Sequence, residues 1–241
     1  MEEKLRQIRL RPRLASAADM LRGFGVVADI GCDHGRLICA LLQRSPGMRG
    51  IASDIGEAPL KRAILLAERI GVSDRISFRL GDGLSVLREG EADAVALLGM
   101  GGMVMTQMLS NCNIPLAGAR LAVFQPMRGV PDIRRYLYEN RYRIVSDRIV
   151  RDAGRLYQVF SAAPLPDGAA VSLPDGWPED CFELGYMTYR SKDPLLPALA
   201  RQMLAQHEKR LLTAGGTRGA ALLQNKANDM RAILRLLGEE I

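Results

Sequence analysis

The sequence predicts an α/β protein in which a mostly parallel sheet is followed by a helical hairpin. Short apolar runs alternate with amphipathic stretches between residues 26 and 163, a pattern typical of buried parallel strands joined by helices. A proline-rich stretch follows, and the last part of the chain repeats leucine and methionine at helical spacing. With 241 residues, 48% of them hydrophobic, the chain can bury a full α/β core and still carry an appendage.

The elements can be assigned in chain order. We expect a basic helix at 5–22, strands at 26–30, 49–54, 76–80, 92–98 and 119–125, and helices at 36–43, 57–70, 131–140 and after Gly102. Pro59 and Pro131 suit the first turn of a helix. Residues 142–150 and 156–162 predict a last strand pair, because Asp152, Ala153 and Gly154 are typical of a hairpin turn. Seven strands with a final antiparallel pair result.

Four prolines between residues 163 and 178 predict a domain boundary. We therefore expect a catalytic domain over residues 1–163, and a linker with a helical coiled-coil domain over 164–241. Apolar residues at 196–211 and 223–237 follow helical spacing on either side of a turn at 214–219. These stripes indicate core packing between two antiparallel helices, and His207 within them is expected to be structural.

The loop that follows the first strand indicates the kind of ligand. The run 26–30 ends in a glycine-spaced turn at 31–35, where a helix begins. Asp33 stands where a dinucleotide-binding loop has its second glycine, and a carboxylate there would repel a pyrophosphate. Asp29 and Asp33 instead suit an ammonium group and hydroxyls, while the helix N-terminus accepts a carboxylate. S-adenosylmethionine carries all of these groups.

Two later strands also end in an acidic residue. Asp54 ends the second strand and is suitably placed to accept hydrogen bonds from a ribose diol. Asp82 follows the third strand and could accept a hydrogen bond from the exocyclic amine of adenine. Each Asp taken alone is more often part of an ordinary turn, but three in order favour a methyltransferase cofactor site.

The expected acceptor side of this site follows the fourth and fifth strands. Small residues at 99–102 would let a flat base approach the sulfonium, although they would equally serve a tight strand-to-helix turn. Gln125, which is followed by Pro126, adds an amide that could read the edge of a base.

Other features limit the function classes. The four cysteines, at 32, 39, 112 and 181, lack metal-ligand spacing, and the two histidines cannot complete a zinc set with them. We expect no metal and reduced thiols. No apolar run is long enough to span a bilayer and no signal peptide is recognised, so we expect a cytoplasmic protein.

The positive charge is clustered. The net charge is +6, with one run of basic residues from Lys4 to Arg22 and a second from Arg128 to Arg155. Either run alone could be a solvated face, but two runs flanking one site favour nucleic acid. The candidate RNA-binding residues are Arg9, Arg11, Arg13, Arg128, Arg134 and Arg135.

Several motifs together resemble the bacterial tRNA (adenine-N1)-methyltransferases that act on adenine 22 of tRNA. They are 11–14 (Arg-Pro-Arg-Leu), 28–34 (Ala-Asp-Ile-Gly-Cys-Asp-His), 81–84, 89–94, 99–102 (Gly-Met-Gly-Gly), Gln125-Pro126 and 135–138. The resemblance covers nearly the whole chain. It implies a Rossmann-like class I methyltransferase domain, a C-terminal coiled-coil domain, S-adenosylmethionine as methyl donor and tRNA as substrate. Met127 departs from the family pattern, which often has Asn there.

The expected site residues follow from both lines of reasoning. The cofactor set is Asp29, Gly31, Cys32, Asp33, His34, Gly35, Asp54, Ile55, Asp82, Gly83 and Gly99, and the catalytic set is Asp33, His34, Met100 and Gln125. We expect direct methyl transfer to the N1 nitrogen of adenine, with Asp33 or His34 beside the base. The alternatives are a methyltransferase for another RNA, a protein or a small molecule, and a non-enzymatic RNA-binding scaffold. We expect a monomer or a weak homo-oligomer.

Overall fold

The computed structural model describes residues 7–112, 115–178, 181–214 and 218–240. Within them, seven strands form one sheet of order β3-β2-β1-β4-β5-β7-β6. The strands are β1 (Val26–Ile30), β2 (Arg49–Asp54), β3 (Ile76–Leu80), β4 (Ala94–Leu98), β5 (Leu121–Gln125), β6 (Tyr142–Asp152) and β7 (Arg155–Pro164). β1 to β5 pair in parallel, whereas β7 is antiparallel to both β5 and β6. The predicted α/β class and the final antiparallel pair are confirmed.

Helices cover both faces of the sheet, which is why the central strands are apolar throughout. One face packs against α1 (Pro12–Met20), α2 (Arg36–Arg44) and α3 (Glu57–Arg69), and the other against α4 (Gly102–Ser110) and α5 (Val130–Glu139). The β4 and β5 side chains are buried on both faces except at Leu98. This double burial explains the continuous apolar runs in the sequence.

The first helix is shorter than the sequence predicts. A helix was expected at 5–22, but α1 begins only at Pro12. Arg11 has an extended backbone, because a residue before proline avoids the helical region and proline favours the first helical position. Residues 1–6, which include the basic residues Lys4 and Arg6, lie outside the described residues. Arg9 and Arg11 therefore precede α1.

The C-terminal part contains α6 (Tyr186–Arg190), α7 (Leu196–Ala214) and α8 (Arg218–Leu236). Its apolar core joins residues of α7 and α8 to Trp177, Cys181 and Leu184 of the preceding segment and to Ile149 of β6. The predicted pair of C-terminal helices is confirmed. The middle of the predicted turn, residues 215–217, lies outside the described residues, whereas Ala214 ends α7 and Gly219 belongs to α8. The division at 163/164 stays a prediction.

His207 is buried in this C-terminal core, as its place in the apolar stripe predicts. Its Nε2 lies 2.6 Å from a carboxylate oxygen of Glu183. The other oxygen of Glu183 accepts a hydrogen bond of 2.8 Å from Lys226. Among the described residues, no helix is both long and apolar enough to cross a membrane.

Candidate active site

A cleft of about 650 Å³ opens at the carboxyl ends of β1, β2, β4 and β5. β1 lies in the middle of the parallel part, and the chain leaves it towards β2 on one side and reaches β4 on the other. Ligands of α/β sheets bind at such a reversal of strand order. The cleft is lined by Arg13, Leu14, Asp29, Gly31, Cys32, Asp33, His34, Arg36, Leu37, Asp54, Ile55, Gly81, Asp82, Gly83, Leu98, Gly99, Met100, Val104, Met108 and Gln125.

The loop at 31–35 turns the chain tightly from β1 into α2. Gly31 and Gly35 both have a positive φ, and a β-carbon on Gly35 would lie 2.8 Å from that of Ala63. The Cys32 amide donates to the carbonyl of Ser53 at 2.8 Å, which ties the loop to β2. Glycine at 35 is therefore required both by backbone conformation and by close packing against α3.

Asp29 is buried at the end of β1, with 4% of its surface exposed. Burial raises the pKa of Asp29 to about 7, with a smaller contribution from the nearby carboxylates of Asp54 and Asp33. A cation placed against Asp29 would favour its charged form. In the described part of the chain, no group of three or more potential ligands could hold a metal ion. The buried carboxylate of Asp29 suits a cationic group of a ligand, because a cation beside it favours its charged form.

Asp54 joins two loops at the end of β2. One carboxylate oxygen accepts a hydrogen bond of 3.0 Å from the amide of Asp33, and the other accepts one of 2.9 Å from the amide of Gly56. Each oxygen keeps a further lone pair for a ligand. Beside it, Ile55 is 75% exposed. A charged acceptor next to an exposed apolar side chain suits a sugar that carries a flat ring.

Asp82 and Gly83 form the wall of the cleft beyond β3. Asp82 is exposed, and Gly83 packs closely against Met108 of α4, 3.0 Å from where a β-carbon would stand. The carboxylates of Asp29, Asp54 and Asp82 thus line one cleft, as the three strand ends predict.

Asp33 and His34 lie on the rim of the cleft. Asp33 has a φ of 47°, a left-handed conformation in which Asp is enriched among residues with a side chain. Its carboxylate lies 2.6 Å from Nδ1 of His34 and 3.7 Å from the guanidinium of Arg62. Two of the four predicted catalytic side chains, Asp33 and His34, are therefore in contact, and Asp33 already has a cation beside it.

The glycine-rich segment after β4 packs against the segment after β5. The amide of Met127 donates to the carbonyl of Met100 at 2.8 Å, and the amide of Gly102 donates to that of Arg128 at 2.8 Å. A β-carbon on Gly102 would overlap the carbonyl oxygen of Gly129. The side chain of Met100 covers Gly31, so it links this segment to the first loop.

Gln125 ends β5 and is 2% exposed. Its Oε1 accepts a hydrogen bond of 3.2 Å from Arg13, and its Nε2 donates to the carbonyl of Pro126 at 3.0 Å. The amide is thus held at both ends. Met100, Gln125 and Arg13 together line the part of the cleft between the β4 and β5 ends.

Comparison with known proteins identifies the class of this site. Residues 10–160 match the family model described as a methyltransferase domain. The chain belongs to this methyltransferase family. The predicted class I methyltransferase fold is therefore confirmed, and the cleft lies within the matched residues.

Individual relatives narrow the comparison. The tRNA (adenine(22)-N(1))-methyltransferase of Bacillus subtilis (strain 168) is 34% identical over 158 residues, 66% of this chain and 66% of that protein. The match thus spans just under two thirds of the curated relative. The crystal structure of the B. subtilis M1A22 tRNA methyltransferase TrmK has a TM-score of 0.75 at 26% identity and covers 96% of this chain and 98% of that one.

A further solved structure shares the fold. The M. capricolum TrmK, solved in complex with S-adenosyl-homocysteine, has a TM-score of 0.81 at 21% identity. That likeness covers 94% of this chain and 98% of the M. capricolum chain. The C-terminal helices are therefore part of the shared fold.

The predicted RNA-binding arginines differ in their exposure. Arg9, Arg11, Arg128 and Arg135 are exposed, and Arg135 stacks on Phe182 at 4.9 Å. Arg13 is only partly exposed and lies 4.5 Å over the ring of Tyr157.

The prediction that Arg134 binds RNA is wrong. Its side chain is 4% exposed and forms a 2.8 Å ion pair with the buried Asp147. It also donates to Gln158 at 2.9 Å and lies 4.3 Å from the ring centroid of Phe160. Because its charge is neutralised in the interior, Arg134 is a structural residue and does not belong to an RNA surface.

Sequence reasoning missed part of the cleft. Arg36, Leu37, Val104 and Met108 line it from α2 and α4, where helical spacing alone does not distinguish a lining residue from a core residue. Asp152 was read only as part of a hairpin turn, yet its carboxylate holds Arg13 at 2.7 Å. A buried acid beside two N-terminal arginines leaves no local signal, because the residues are more than 100 positions apart.

Proposed function

We propose that the protein transfers a methyl group from S-adenosylmethionine to the N1 nitrogen of an adenine in tRNA, the adenine at position 22. The observation that carries the proposal is the set of three strand-terminal carboxylates, Asp29, Asp54 and Asp82, in one cleft of a methyltransferase domain. The tRNA substrate is supported by the name of the B. subtilis relative. A tRNA substrate also favours a cytoplasmic location.

The residues of the cleft fit the methyl donor. Asp29 has a raised pKa that a cation would lower, which suits the ammonium group of the donor. Asp54 would accept from the ribose hydroxyls, Asp82 from the adenine amine, and the exposed Ile55 would pack on the ring. Gly31, Cys32, Gly35, Gly83 and Gly99 would provide close backbone approach. The donor would supply an electrophilic methyl group on its sulfonium.

The acceptor nitrogen already carries a lone pair, so the reaction requires no strong base. The protein's contribution is to hold the base in line, an effect that can supply about 7 to 11 kcal/mol. Met100 and Gln125 would hold the base in this way; both line the cleft between the ends of β4 and β5. The base must leave its stack, which costs a few kcal/mol and is offset by contacts in the pocket.

Positive charge develops on the base as the methyl arrives. Asp33 and His34 lie on the rim and are our candidates to stabilise it. Because Arg62 lies 3.7 Å from Asp33, part of the carboxylate charge is already compensated. His34, bonded to Asp33 through Nδ1, would present its other ring nitrogen to the base.

The basic surface beside the cleft fits an RNA strand. A groove of about 580 Å³ runs from Pro126 and Met127 to α7, and it is edged by Arg128, Arg155 and Arg210. Among the described residues, none of these three guanidinium groups has a carboxylate partner. Uncompensated arginines along a groove favour phosphates. Met127 also contacts Arg13 in the cleft, so groove and cleft are continuous.

The test is transfer of labelled methyl from S-adenosylmethionine to unmodified tRNA, followed by nucleoside analysis. We expect 1-methyladenosine from the wild type. Asp54→Ala should lower the rate by at least about tenfold, because two hydrogen bonds to a charged acceptor are lost. Asp74→Ala, which removes an exposed carboxylate from the turn before β3, is the matched control and should act as the wild type.

Two outcomes would overturn the substrate assignment. Label that enters a protein or a small molecule, but no tRNA, would show a methyltransferase of another substrate class. RNA binding without any binding of S-adenosylhomocysteine would show a scaffold without enzymatic activity.

A further inference from the structure

Asp152 anchors the segment that leads into α1. It ends β6, and its side chain is 3% exposed. Arg13 donates to one carboxylate oxygen at 2.7 Å, and the guanidinium of Arg11 lies 3.2 Å from the other. The hydrogen bond from Arg13 lowers the pKa of Asp152 below its ordinary value. A charged, buried carboxylate therefore fixes the position of Arg13.

Arg13 is held on further sides. Its Nη1 donates to Oε1 of Gln125 at 3.2 Å and lies 2.8 Å from the sulfur of Met127. The guanidinium stacks on Tyr157, 4.5 Å from the ring centroid. With 20% of its side chain exposed, Arg13 differs from Arg11, which is 61% exposed. A side chain with this many fixed contacts is better suited to orienting an adjacent side chain than to binding the phosphates of a flexible RNA strand.

The contact with Arg13 determines the orientation of the Gln125 side-chain amide. A guanidinium carries only donors, so the group that faces it must be the carbonyl oxygen. Nε2 then points to the carbonyl of Pro126. If the amide were rotated by half a turn, the Nε2 donor would face the donors of Arg13. The Oε1 acceptor would then face the carbonyl of Pro126. Arg13 therefore fixes which end of the Gln125 amide faces each side of the cleft.

We infer that Arg13 is a positioning residue that sets the Gln125 amide and thereby the purine accepted between Met100 and Gln125. This inference rests on the proposed function. Oε1 retains a lone pair that can accept from the exocyclic amine of adenine, whereas guanine presents a carbonyl oxygen at the same place. Asp152 acts one step further away by holding Arg13.

A double-mutant cycle tests the inference. Arg13→Ala should lower kcat for tRNA methylation by about 10- to 100-fold, the range expected when a reacting group is misplaced. The KM for tRNA and the affinity for S-adenosylhomocysteine should change by less than about twofold. In the Gln125→Ala background, Arg13→Ala should lower kcat by no more than about twofold further, because the group it positions is already absent.

Two additional variants separate positioning from folding. Arg13→Lys keeps the pairing with Asp152, but a single ammonium lacks the guanidinium fork that reaches both partners. It should fold as the wild type and still lose most of the kcat. Arg49→Ala removes an exposed arginine at the start of β2, at the opposite end of that strand from the cleft, and is the matched control. It should leave kcat unchanged.

The opposite results would overturn the inference. Multiplicative losses in the cycle would show that Arg13 acts independently of Gln125. A raised KM for tRNA with unchanged kcat would show a phosphate contact instead. Absence of all methyl transfer by the wild type, with tRNA still bound, would refute the proposed function without bearing on Arg13. In that case, the same cycle read by binding of an adenine-containing oligonucleotide would decide the role of Arg13.

Discussion

At the scale of single residues, Asp29 shows how burial at a strand end prepares a carboxyl group for a cationic ligand. In the free protein its pKa is raised to about 7, chiefly by burial. A cation that binds against it lowers that pKa, so binding below pH 7 must release a proton. The affinity for S-adenosylhomocysteine should therefore rise as the pH increases from 6 to 8.

Calorimetric titration at several pH values, in buffers of different ionisation enthalpy, measures both the affinity and the released proton. The Asp29→Asn variant is the control, because it cannot titrate at this position. Its affinity should be lower and nearly independent of pH over this range. Equal pH dependence in the two proteins would show that Asp29 does not face the cation.

The raised pKa of Asp29 also predicts that replacing this residue stabilises the ligand-free protein. The pKa of Asp29 is higher in the folded protein, about 7, than its ordinary value of 3.8. Between these values the folded state binds more protons, so this group lowers stability as the pH rises. Above pH 7, Asp29→Asn should raise the unfolding free energy of the ligand-free protein by roughly 2 to 4 kcal/mol. Urea unfolding at pH 5 and pH 8 checks this, and a larger gain at pH 5 would contradict it.

Single residues also show the limits of sequence reasoning. Asp29, Asp54 and Asp82 could be predicted because each directly follows an apolar strand, and the ends of parallel strands meet at one edge. Arg134 and Asp152 could not. Their partners lie on other elements, and nothing next to them in sequence distinguishes a buried ion pair from an exposed charge. The predicted set of RNA-binding arginines therefore included both exposed residues and the buried Arg134.

At the scale of elements, the strands and the helices that connect them were predicted to within about two residues, whereas the first helix was predicted too long. β1 to β5 are short and apolar, so their limits follow from local composition. The β6–β7 hairpin is longer than predicted, because the strands continue through the charged residues Arg151, Asp152 and Arg155 at the turn, and β7 continues to Pro164 at its other end. Ala153 and Gly154 both have a positive φ, as a two-residue hairpin turn requires. The start of α1 was set by Pro12 and not by the basic pattern.

The contact between α4 and the segment after β5 yields a prediction at this scale. Gly102 begins α4 with its backbone against the carbonyl of Gly129. Gly102→Ala should force these two segments apart, lower stability by about 1 to 3 kcal/mol and displace Met100 and Gln125. Methyl transfer should fall more than cofactor binding. Gly47→Ala is the matched control, because no atom lies within 4 Å of the added carbon.

Thermal unfolding and a methyl-transfer assay measure the two effects. If Gly102→Ala kept full activity and stability, the close approach of the two segments would not be needed to build the acceptor side.

At the scale of the whole molecule, the groove between the methyltransferase domain and α7 predicts how RNA is bound. Replacing Arg128, Arg155 and Arg210 together by Ala should weaken tRNA binding at low salt. It should also reduce the slope of log affinity against log salt by about 2 to 3, since each phosphate contact contributes roughly 0.7 to 0.9. Fluorescence anisotropy over a range of salt concentrations measures the slope.

Arg49→Ala is the control for this measurement. Arg49 is exposed, but it begins β2 and so lies at the opposite end of the strand from the cleft. Its replacement should leave the slope unchanged. Equal effects of the groove and control variants would show that RNA binding depends on overall charge and not on the groove.

The fold class and the cofactor side of the cleft could be predicted from the sequence, because their signals are local. The path of the RNA could not, since the groove arginines come from three separate elements that only the tertiary structure brings together. Whether the protein acts as a monomer or a weak homo-oligomer stays a prediction.

The measurement that tests the central claim most directly is the position of the methyl group on tRNA. Unmodified tRNA is incubated with the protein and labelled S-adenosylmethionine, beside a tRNA in which adenine 22 is replaced by guanine. We expect 1-methyladenosine at position 22 of the first tRNA, detected by nucleoside analysis and a reverse-transcription stop, and no label in the second. Label at another position, or equal label in both tRNAs, would contradict the account.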